Sequence, residues 1–222
     1  KMFKAVLFDL DGTLLNRDQS VELFINQQYE RLYALLSYIP KEEYVSRFIE
    51  LDNRGYVWKD KVYQQLISEF NIRSVTWEEL LQDYIDNFKY HCVGFPHLHE
   101  MLKDHKMALG MITNGFGQFQ MDNIKALDIE KYFNVLLVSE WEGIKKPNTQ
   151  IFMNALKKLN VEPSESVFIG DHPENDVKAA QNVGMKAIWK RDSQWTDIKA
   201  DAIIDDYLEL PLVLKKLERN LE

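Results

Sequence analysis

The stretch FDLDGTLLN, residues 8–16, places two carboxylates, Asp9 and Asp11, directly after the apolar run VLF. The segment FKAVLF that leads into it is apolar and β-prone, and it predicts a short buried strand. Two like charges at the end of a buried strand are costly unless a cation or a proton offsets them. Gly12 and Thr13 follow at once and indicate a turn. Taken alone, the stretch is equally consistent with a solvated junction between a strand and a loop.

Six short apolar runs recur along the chain and predict strands. Stretches with helical periodicity, such as QMDNIKALDIEKYF and NTQIFMNALKKL, lie between the later runs. Strands that alternate with helices form a parallel sheet with helices on its faces, so we expect an α/β fold. The predicted strands are residues 3–9, 107–113, 134–139, 166–171, 185–190 and 200–205.

Residues 17–93 break this alternation with four helical patterns in succession. They predict an all-helical module inserted between the first and second strands. Thr76 precedes WEEL and Glu79 follows three residues later, which is the pattern of a helix N-cap with a capping box. The sequence therefore predicts a sheet domain of residues 1–16 and 94–222 and a helical domain of residues 17–93.

Composition limits the classes of function. The 222 residues are 45% apolar and carry a formal net charge of −8, which argues against broad binding to nucleic-acid polymers. An anionic substrate would have to be attracted locally, by a metal or by a few placed cations. The single cysteine, Cys92, excludes an internal disulfide and is typical of a reducing cytoplasm. No long apolar run predicts a membrane span, so we expect a cytoplasmic protein without a membrane partner.

Four polar signals follow predicted strands, where ligands of parallel sheets bind. Each has an ordinary explanation as a turn, a helix cap or a solvated charge pair. Their succession at strand ends favours one shared site. The signals are Asp9-x-Asp11-Gly12-Thr13, Thr113-Asn114-Gly115, Lys146-Pro147, and Gly170-Asp171 with Asp176.

These residue types together indicate phosphoryl transfer. Asp9, Asp11 and Asp171 offer the hard oxygen ligands that suit Mg²⁺. A carboxylate can act as the nucleophile through an aspartyl-phosphate, and a second carboxyl can protonate the leaving oxygen and then deprotonate water. A hydroxyl and a lysine, Thr113 and Lys146, could stabilise charge on the phosphoryl oxygens.

The segments FDLDGTLL, ITNG, KP with a following IF, and GDHPENDVKAAQNVGM resemble the four motifs of the haloacid dehalogenase-like hydrolase superfamily. The resemblance covers the sheet domain and implies a Rossmann-like core with helices on both faces. The helical insertion looks like the cap of subfamily I, which closes over the site and shapes substrate choice.

The resemblance also assigns roles to residues of this chain. It implies Asp9 as nucleophile and Asp11 as general acid and base. The implied phosphoryl-binding residues are Thr113, Asn114 and Lys146. The implied Mg²⁺ ligands are Asp9, the backbone carbonyl of Asp11, and Asp171, with Asp176 supporting the site.

The substrate expected from the resemblance is a small phosphorylated metabolite. The stretch from TNGFGQ to GIKKP is similar to the nucleotidase-like and small-molecule phosphatase branches, which points to a nucleoside monophosphate or a sugar phosphate. The true dehalogenases of the superfamily carry a non-acidic residue at the position of Asp11, so a phosphatase is favoured. A phosphomutase on the same residues and a non-enzymatic binding or regulatory protein remain open, as do a monomer and a dimer.

Two further segments carry less specific signals. DNRGYVWKD, residues 52–60, places Arg54 and Trp58 where they could select a substrate, or where they could simply connect two helices. HCVGFPHLH, residues 91–99, contains zinc-binding residue types, but their spacing matches no common zinc pattern. The segment falls where the helical module returns to the sheet domain, so we interpret it as a hinge with Pro96 at the start of a helix.

Overall fold

The computed structural model describes residues 2–103 and 105–221, and its sheet is built from strands that coincide with the six predicted runs. Continuous apolar segments are what a parallel strand covered on both faces requires. The strands are β1 (Ala5–Phe8), β2 (Ala108–Thr113), β3 (Val135–Val138), β4 (Ser166–Gly170), β5 (Lys186–Lys190) and β6 (Ala202–Ile204). All paired strands are parallel, which confirms the predicted fold class.

The strand order is β3-β2-β1-β4-β5-β6, so the direction of the chain across the sheet reverses beside β1. In such sheets the crevice for a ligand forms outside the carboxyl ends of the strands at this reversal. Phe8, the last residue of β1, is in register with Met111 of β2 and with Ile169 of β4. Asp9 and Asp171 therefore leave the sheet side by side at the same edge.

The chain divides into two units, Lys1–Leu15 with Gly94–Glu222, and Asn16–Val93. Their roles as catalytic core and cap stay predictions. The helices of the second unit are α1 (Arg17–Arg31), α2 (Tyr33–Leu36), α3 (Lys41–Asp52), α4 (Lys59–Glu69) and α5 (Trp77–Asn87). The Thr76 hydroxyl accepts a hydrogen bond from the backbone N–H of Glu79 and caps α5, as the sequence pattern predicts.

Aromatic side chains fill the interior of the helical unit. Phe24 meets Tyr84 edge to face with ring centroids 5.2 Å apart, and Phe48 lies 5.4 Å from Tyr63. All four side chains are buried. Rings packed in this way contribute more than their buried area alone, so they act as the core that holds α1, α3, α4 and α5 together.

A single buried amide accepts hydrogen bonds from two tyrosine hydroxyls of this aromatic core. The hydroxyls of Tyr44 and Tyr63 both donate to Gln28 Oε1, at 2.7 and 2.9 Å. Gln28 Nε2 donates to Asp83 Oδ2 at 2.9 Å. A buried hydroxyl without a hydrogen-bond partner costs free energy. Gln28 removes this cost for Tyr44 and Tyr63, so tyrosine is tolerated where phenylalanine would otherwise be favoured.

The remaining helices belong to the unit that contains the sheet. They are α6 (Leu98–Lys103), α7 (Gly117–Ala126), α8 (Ser139–Glu142), α9 (Thr149–Leu159), α10 (Ala179–Asn182) and α11 (Leu210–Arg219). In α9 the buried residues Ile151, Phe152, Ala155 and Leu156 form one apolar face. Phe152 meets Phe168 of β4 in the core of this unit at 5.0 Å between ring centroids. Within the described residues, no helix is long and apolar enough to cross a membrane.

The substitution Gln28→Leu should destabilise the helical unit, because it leaves the Tyr44 and Tyr63 hydroxyls buried without their acceptor. We expect the free energy of unfolding to fall by roughly 2–4 kcal/mol, measured by urea denaturation. The control Gln27→Leu changes an exposed neighbour on the same helix and should alter stability by less than about 0.5 kcal/mol. Equal stability of the two variants would contradict the role given to Gln28.

Candidate active site

A buried lysine lies between two carboxylates at the carboxyl edge of the sheet. Lys146 Nζ donates to Asp9 Oδ1 at 2.8 Å and to Asp176 Oδ1 at 2.7 Å. The lysine is only 3% exposed. Burial disfavours its charge, but the charges of Asp176 and Asp9 outweigh burial and raise the pKa of Lys146. Lys146 is therefore a fixed cation that joins the loop after β1 to the segment after β4.

The loop after β1 brings a hydroxyl between two carboxylates. Thr13 Oγ1 lies 3.4 Å from Asp9 Oδ2 and 3.3 Å from Asp171 Oδ1. The backbone carbonyl of Thr13 accepts a hydrogen bond from the Tyr207 hydroxyl, and this bond holds the turn in place. Gly12 has a φ of +81°, and a Cβ there would lie 2.3 Å from Asp171 Oδ2. Only glycine permits this approach of the first motif to Asp171.

Asp176 has both carboxylate oxygens committed to other groups. Oδ1 accepts from Lys146, and Oδ2 accepts from the backbone N–H of His172 at 3.0 Å. A Cβ on Gly170 would lie 2.3 Å from Asp176 Cβ, so the glycine allows the carboxylate to pack against β4. Burial and the charge of Asp9 raise the pKa of Asp176 to about 6. This geometry agrees better with a supporting role for Asp176 than with direct ligation of a metal.

Carboxylate oxygens of Asp9, Asp171 and Asp176 all lie within 4.8 Å of one another. Burial raises the pKa of Asp171 well above its ordinary value, and the charges of Asp9 and Asp176 raise it further. With all three carboxylates ionised, as they would be around a bound cation, Lys146 offsets one of the three negative charges and leaves a net charge of −2. Hard oxygen donors with this residual charge fit one divalent cation such as Mg²⁺.

Asn114 fixes the backbone of Lys146. Its Oδ1 accepts from the backbone N–H of Lys146 at 2.9 Å, and its Nδ2 donates to the Lys146 carbonyl at 3.0 Å. The loops that follow β2 and β3 are thereby joined. Contact between Asn114 and a phosphoryl group stays a prediction. The hydrogen bonds that Asn114 makes to the backbone of Lys146 were not predicted from the sequence.

Asp11 and Thr113 are linked by a residue that the motifs do not contain. Gln120 Nε2 donates to Asp11 Oδ2 at 2.9 Å and to Thr113 Oγ1 at 2.7 Å. Gln120 lies seven positions after Thr113, inside α7, and a lone glutamine in a helical pattern carries no sequence signal for such a contact. The structure thus brings Asp9, Asp11, Thr113 and the other motif residues into one connected network.

A family model described as haloacid dehalogenase-like hydrolase matches residues 6–190. The chain belongs to this family. Glyceraldehyde 3-phosphate phosphatase of Pyrococcus furiosus is 28% identical over 240 residues, which cover 99% of this chain and 95% of that protein. The glyceraldehyde 3-phosphate phosphatase of Pyrococcus abyssi is 30% identical, with coverage of 85% and 81%.

Solved structures agree with this membership. A HAD phosphatase from Thermococcus onnurineus superposes with a TM-score of 0.66 at 30% identity, covering 95% of this chain and 97% of that one. The predicted superfamily is confirmed by the family match, and the predicted enzyme class is confirmed by these relatives. The chain is a hydrolase of the phosphatase class in the haloacid dehalogenase-like family.

Arg54 and Trp58 belong to the helical unit and make local contacts there. Arg54 donates to Asp18 Oδ2 at 3.2 Å, and the Trp58 ring meets Tyr84 edge to face at 5.9 Å. These contacts are compatible with a connection between helices. The proposed influence of Arg54 and Trp58 on substrate choice stays a prediction.

The histidines of the predicted hinge point to different partners. His97 Nδ1 lies 3.1 Å from Glu100, and His99 Nδ1 lies 3.3 Å from the Tyr132 hydroxyl. In the part of the chain that the structure describes, the only group of three side chains that could hold a metal ion is Asp9, Asp171 and Asp176. His172 caps the helical turn after β4 by accepting from the backbone N–H groups of Glu174 and Asn175.

The metal-free site should destabilise the fold at neutral pH. A carboxyl whose pKa is raised by folding holds its proton more tightly in the folded state, so stability falls as pH rises above its ordinary pKa. Asp171→Asn in excess chelator should therefore be more stable than wild type at pH 7, with a smaller difference at about pH 4. Urea denaturation at the two pH values measures this.

Asp128→Asn removes an exposed carboxylate from the same unit and serves as the control. It should show no comparable gain at pH 7. A metal-free wild type as stable as Asp171→Asn at pH 7 would show that charge repulsion at the site is negligible.

Proposed function

We propose that the chain is a Mg²⁺-dependent phosphatase that hydrolyses a small-molecule phosphate monoester through an aspartyl-phosphate on Asp9. The observation that carries the proposal is the Asp9 carboxylate held at 2.8 Å by the buried Lys146 ammonium, beside Asp171 and Thr13. A nucleophile fixed by its neighbours attacks without first having to be oriented.

In the first half-reaction an oxygen of Asp9 bonds to phosphorus, and the bond between phosphorus and the leaving oxygen breaks. Asp11 gives its proton to that oxygen, so the product leaves as an alcohol and not as an alkoxide. In the second half-reaction water attacks the phosphorus and gives its proton to Asp11. The bond between phosphorus and Asp9 breaks, which restores both carboxyl groups and releases inorganic phosphate.

Charge on the phosphoryl oxygens is stabilised by Lys146 and by the Thr113 hydroxyl. Thr113 Oγ1 accepts from Gln120, and its own proton makes only a long contact of 3.5 Å with the Asn114 carbonyl, so it can turn to an anionic oxygen. Preformed donors of this kind favour the transition state because they need no reorganisation during the reaction. A Mg²⁺ ion held by Asp9, Asp171 and the backbone carbonyl of Asp11 would add further positive charge against the phosphoryl oxygens.

A three-carbon sugar phosphate is the first substrate to test. The support is the activity named for the Pyrococcus relatives, glyceraldehyde 3-phosphate phosphatases that align with 99% and 85% of this chain. Nucleoside monophosphates and larger sugar phosphates form the comparison set. The cytoplasm is the proposed location, and the single cysteine supports it. A role of Arg54 and Trp58 in the choice among these esters is also part of the proposal.

Phosphate release should depend on a divalent cation. Excess chelator should reduce turnover to the uncatalysed background, and Mg²⁺ should restore it, because three clustered carboxylates otherwise repel an anionic ester. Mg²⁺ should also raise the melting temperature of wild type but not that of Asp171→Asn. Full turnover in excess chelator would rule out the metal assignment.

Asp9→Asn should remove detectable turnover because an amide is a poor nucleophile. Asp11→Asn should lower turnover of alkyl phosphates by about 10²- to 10⁴-fold, the usual contribution of a general acid. Phosphate release and circular dichroism measure activity and folding in parallel, with Asp128→Asn as the exposed control. Wild-type turnover by Asp9→Asn would overturn the covalent mechanism.

A further inference from the structure

One buried glutamine amide contacts three polar groups of the site at once. Gln120 is 3% exposed, and its Nε2 lies 2.9 Å from Asp11 Oδ2, 2.7 Å from Thr113 Oγ1 and 3.3 Å from the Asn114 carbonyl. The two amide protons are used by the shorter contacts, to Asp11 and Thr113. The longer contact, to the Asn114 carbonyl, shares one of these protons.

The chemistry of the partners fixes which end of the amide faces the site. A carboxylate oxygen and a backbone carbonyl only accept hydrogen bonds, so the NH₂ group of Gln120 has to face Asp11 and Asn114. The Thr113 hydroxyl then accepts from the same group. The orientation follows from two partners that can only accept and leaves no equivalent alternative with the oxygen turned inward.

The backbone of Gln120 is as well fixed as its side chain. Its N–H donates to the Phe116 carbonyl at 2.9 Å in the first turn of α7. The backbone N–H of Gly117, which begins α7, donates to Glu140 Oε1 at 2.9 Å. Gly115 has a φ of +144°, and a Cβ there would lie 3.0 Å from the Gln120 side chain, so the glycine makes room for it.

We propose that Gln120 is a positioning residue for proton transfer by Asp11. The inference rests on the proposed function, in which Asp11 is the general acid and base. Because Oδ2 of Asp11 accepts from the amide, Oδ1 is the oxygen that carries the proton to the leaving oxygen and later takes one from water. Gln120 itself exchanges no proton and touches no reacting atom.

A positioning role differs from mere burial of a polar group in its dependence on the leaving group. A poor leaving group, such as the alkoxide of a sugar phosphate, needs its proton in the transition state. A good one, such as p-nitrophenolate, departs without it. Loss of the amide should therefore slow alkyl esters selectively, whereas a general loosening of the site should slow both kinds of ester alike.

The test compares Gln120→Met with wild type on glyceraldehyde 3-phosphate and on p-nitrophenyl phosphate. Methionine keeps the length of the side chain and removes both donors. We use kcat/KM, because it reports the steps up to the first irreversible one and excludes the later hydrolysis of the aspartyl-phosphate. The expected loss is about 10- to 100-fold on the alkyl ester and less than about 3-fold on the aryl ester.

Two further variants make the result specific. Gln118→Met changes an exposed glutamine of the same helix, whose side chain bonds Asp122. It should leave kcat/KM unchanged on both substrates. Asp11→Asn should show the same selectivity for the alkyl ester as Gln120→Met, but a larger loss. Melting temperatures identify any variant that fails to fold. Gln120→Glu keeps the shape of the side chain but presents a carboxylate to Asp11. It gives a second measure of the selective loss on the alkyl ester.

The outcomes separate this inference from the function on which it rests. If Gln120→Met lowered kcat/KM equally on both esters, or on neither, the inference would be overturned. A selective loss of kcat/KM on the alkyl ester in Asp11→Asn would still support the acid role of Asp11. A non-selective Asp11→Asn would overturn the acid role and the inference together. A wild type that hydrolyses neither of these esters, nor any nucleoside monophosphate or larger sugar phosphate of the comparison set, would overturn the proposed function, and the inference with it.

Discussion

The contact on which the site depends is the Lys146 ammonium between Asp9 and Asp176. All three side chains are buried, so water shields their charges only weakly. Removal of the lysine would leave two carboxylates unpaired in a medium of low dielectric constant, which typically costs about 3–5 kcal/mol. The lysine also joins the loop after β1 to the segment after β4, so the geometry of the acidic cluster depends on its presence.

The acidic cluster can form because two glycines allow carboxylates to approach the backbone. A Cβ on Gly12 would lie 2.3 Å from an oxygen of Asp171, and one on Gly170 would lie 2.3 Å from Asp176 Cβ. The close approach concentrates negative charge, and the raised pKa values of Asp171 and Asp176 follow from it and from burial. Such an arrangement lowers the stability of the metal-free chain, and under the proposed function a bound cation would offset this loss.

The sequence predicted the sheet and the motif residues because both leave local signals. Apolar runs identify parallel strands, and polar residues directly after them fall at the edge where ligands bind. Gln120 and Thr13 were missed as contacts of Asp11 and Asp171, since their side chains meet those carboxylates only after the chain has folded. Likewise no spacing rule could tell that Asn114 would bond the backbone of Lys146, 32 positions further along the chain.

The two neutral amides of the site perform a task that a charged side chain could not. Asn114 fixes Lys146, and Gln120 fixes Asp11, by hydrogen bonds that add no charge. A lysine or arginine in place of Gln120 would also hold Asp11, but its charge would offset the net −2 that suits a divalent cation. It would bind the carboxylate more strongly as well, and would oppose the return of a proton to Asp11 when water attacks. In the proposed mechanism an amide therefore orients Asp11 without adding charge, and the charge balance is left to Lys146, Mg²⁺ and the substrate.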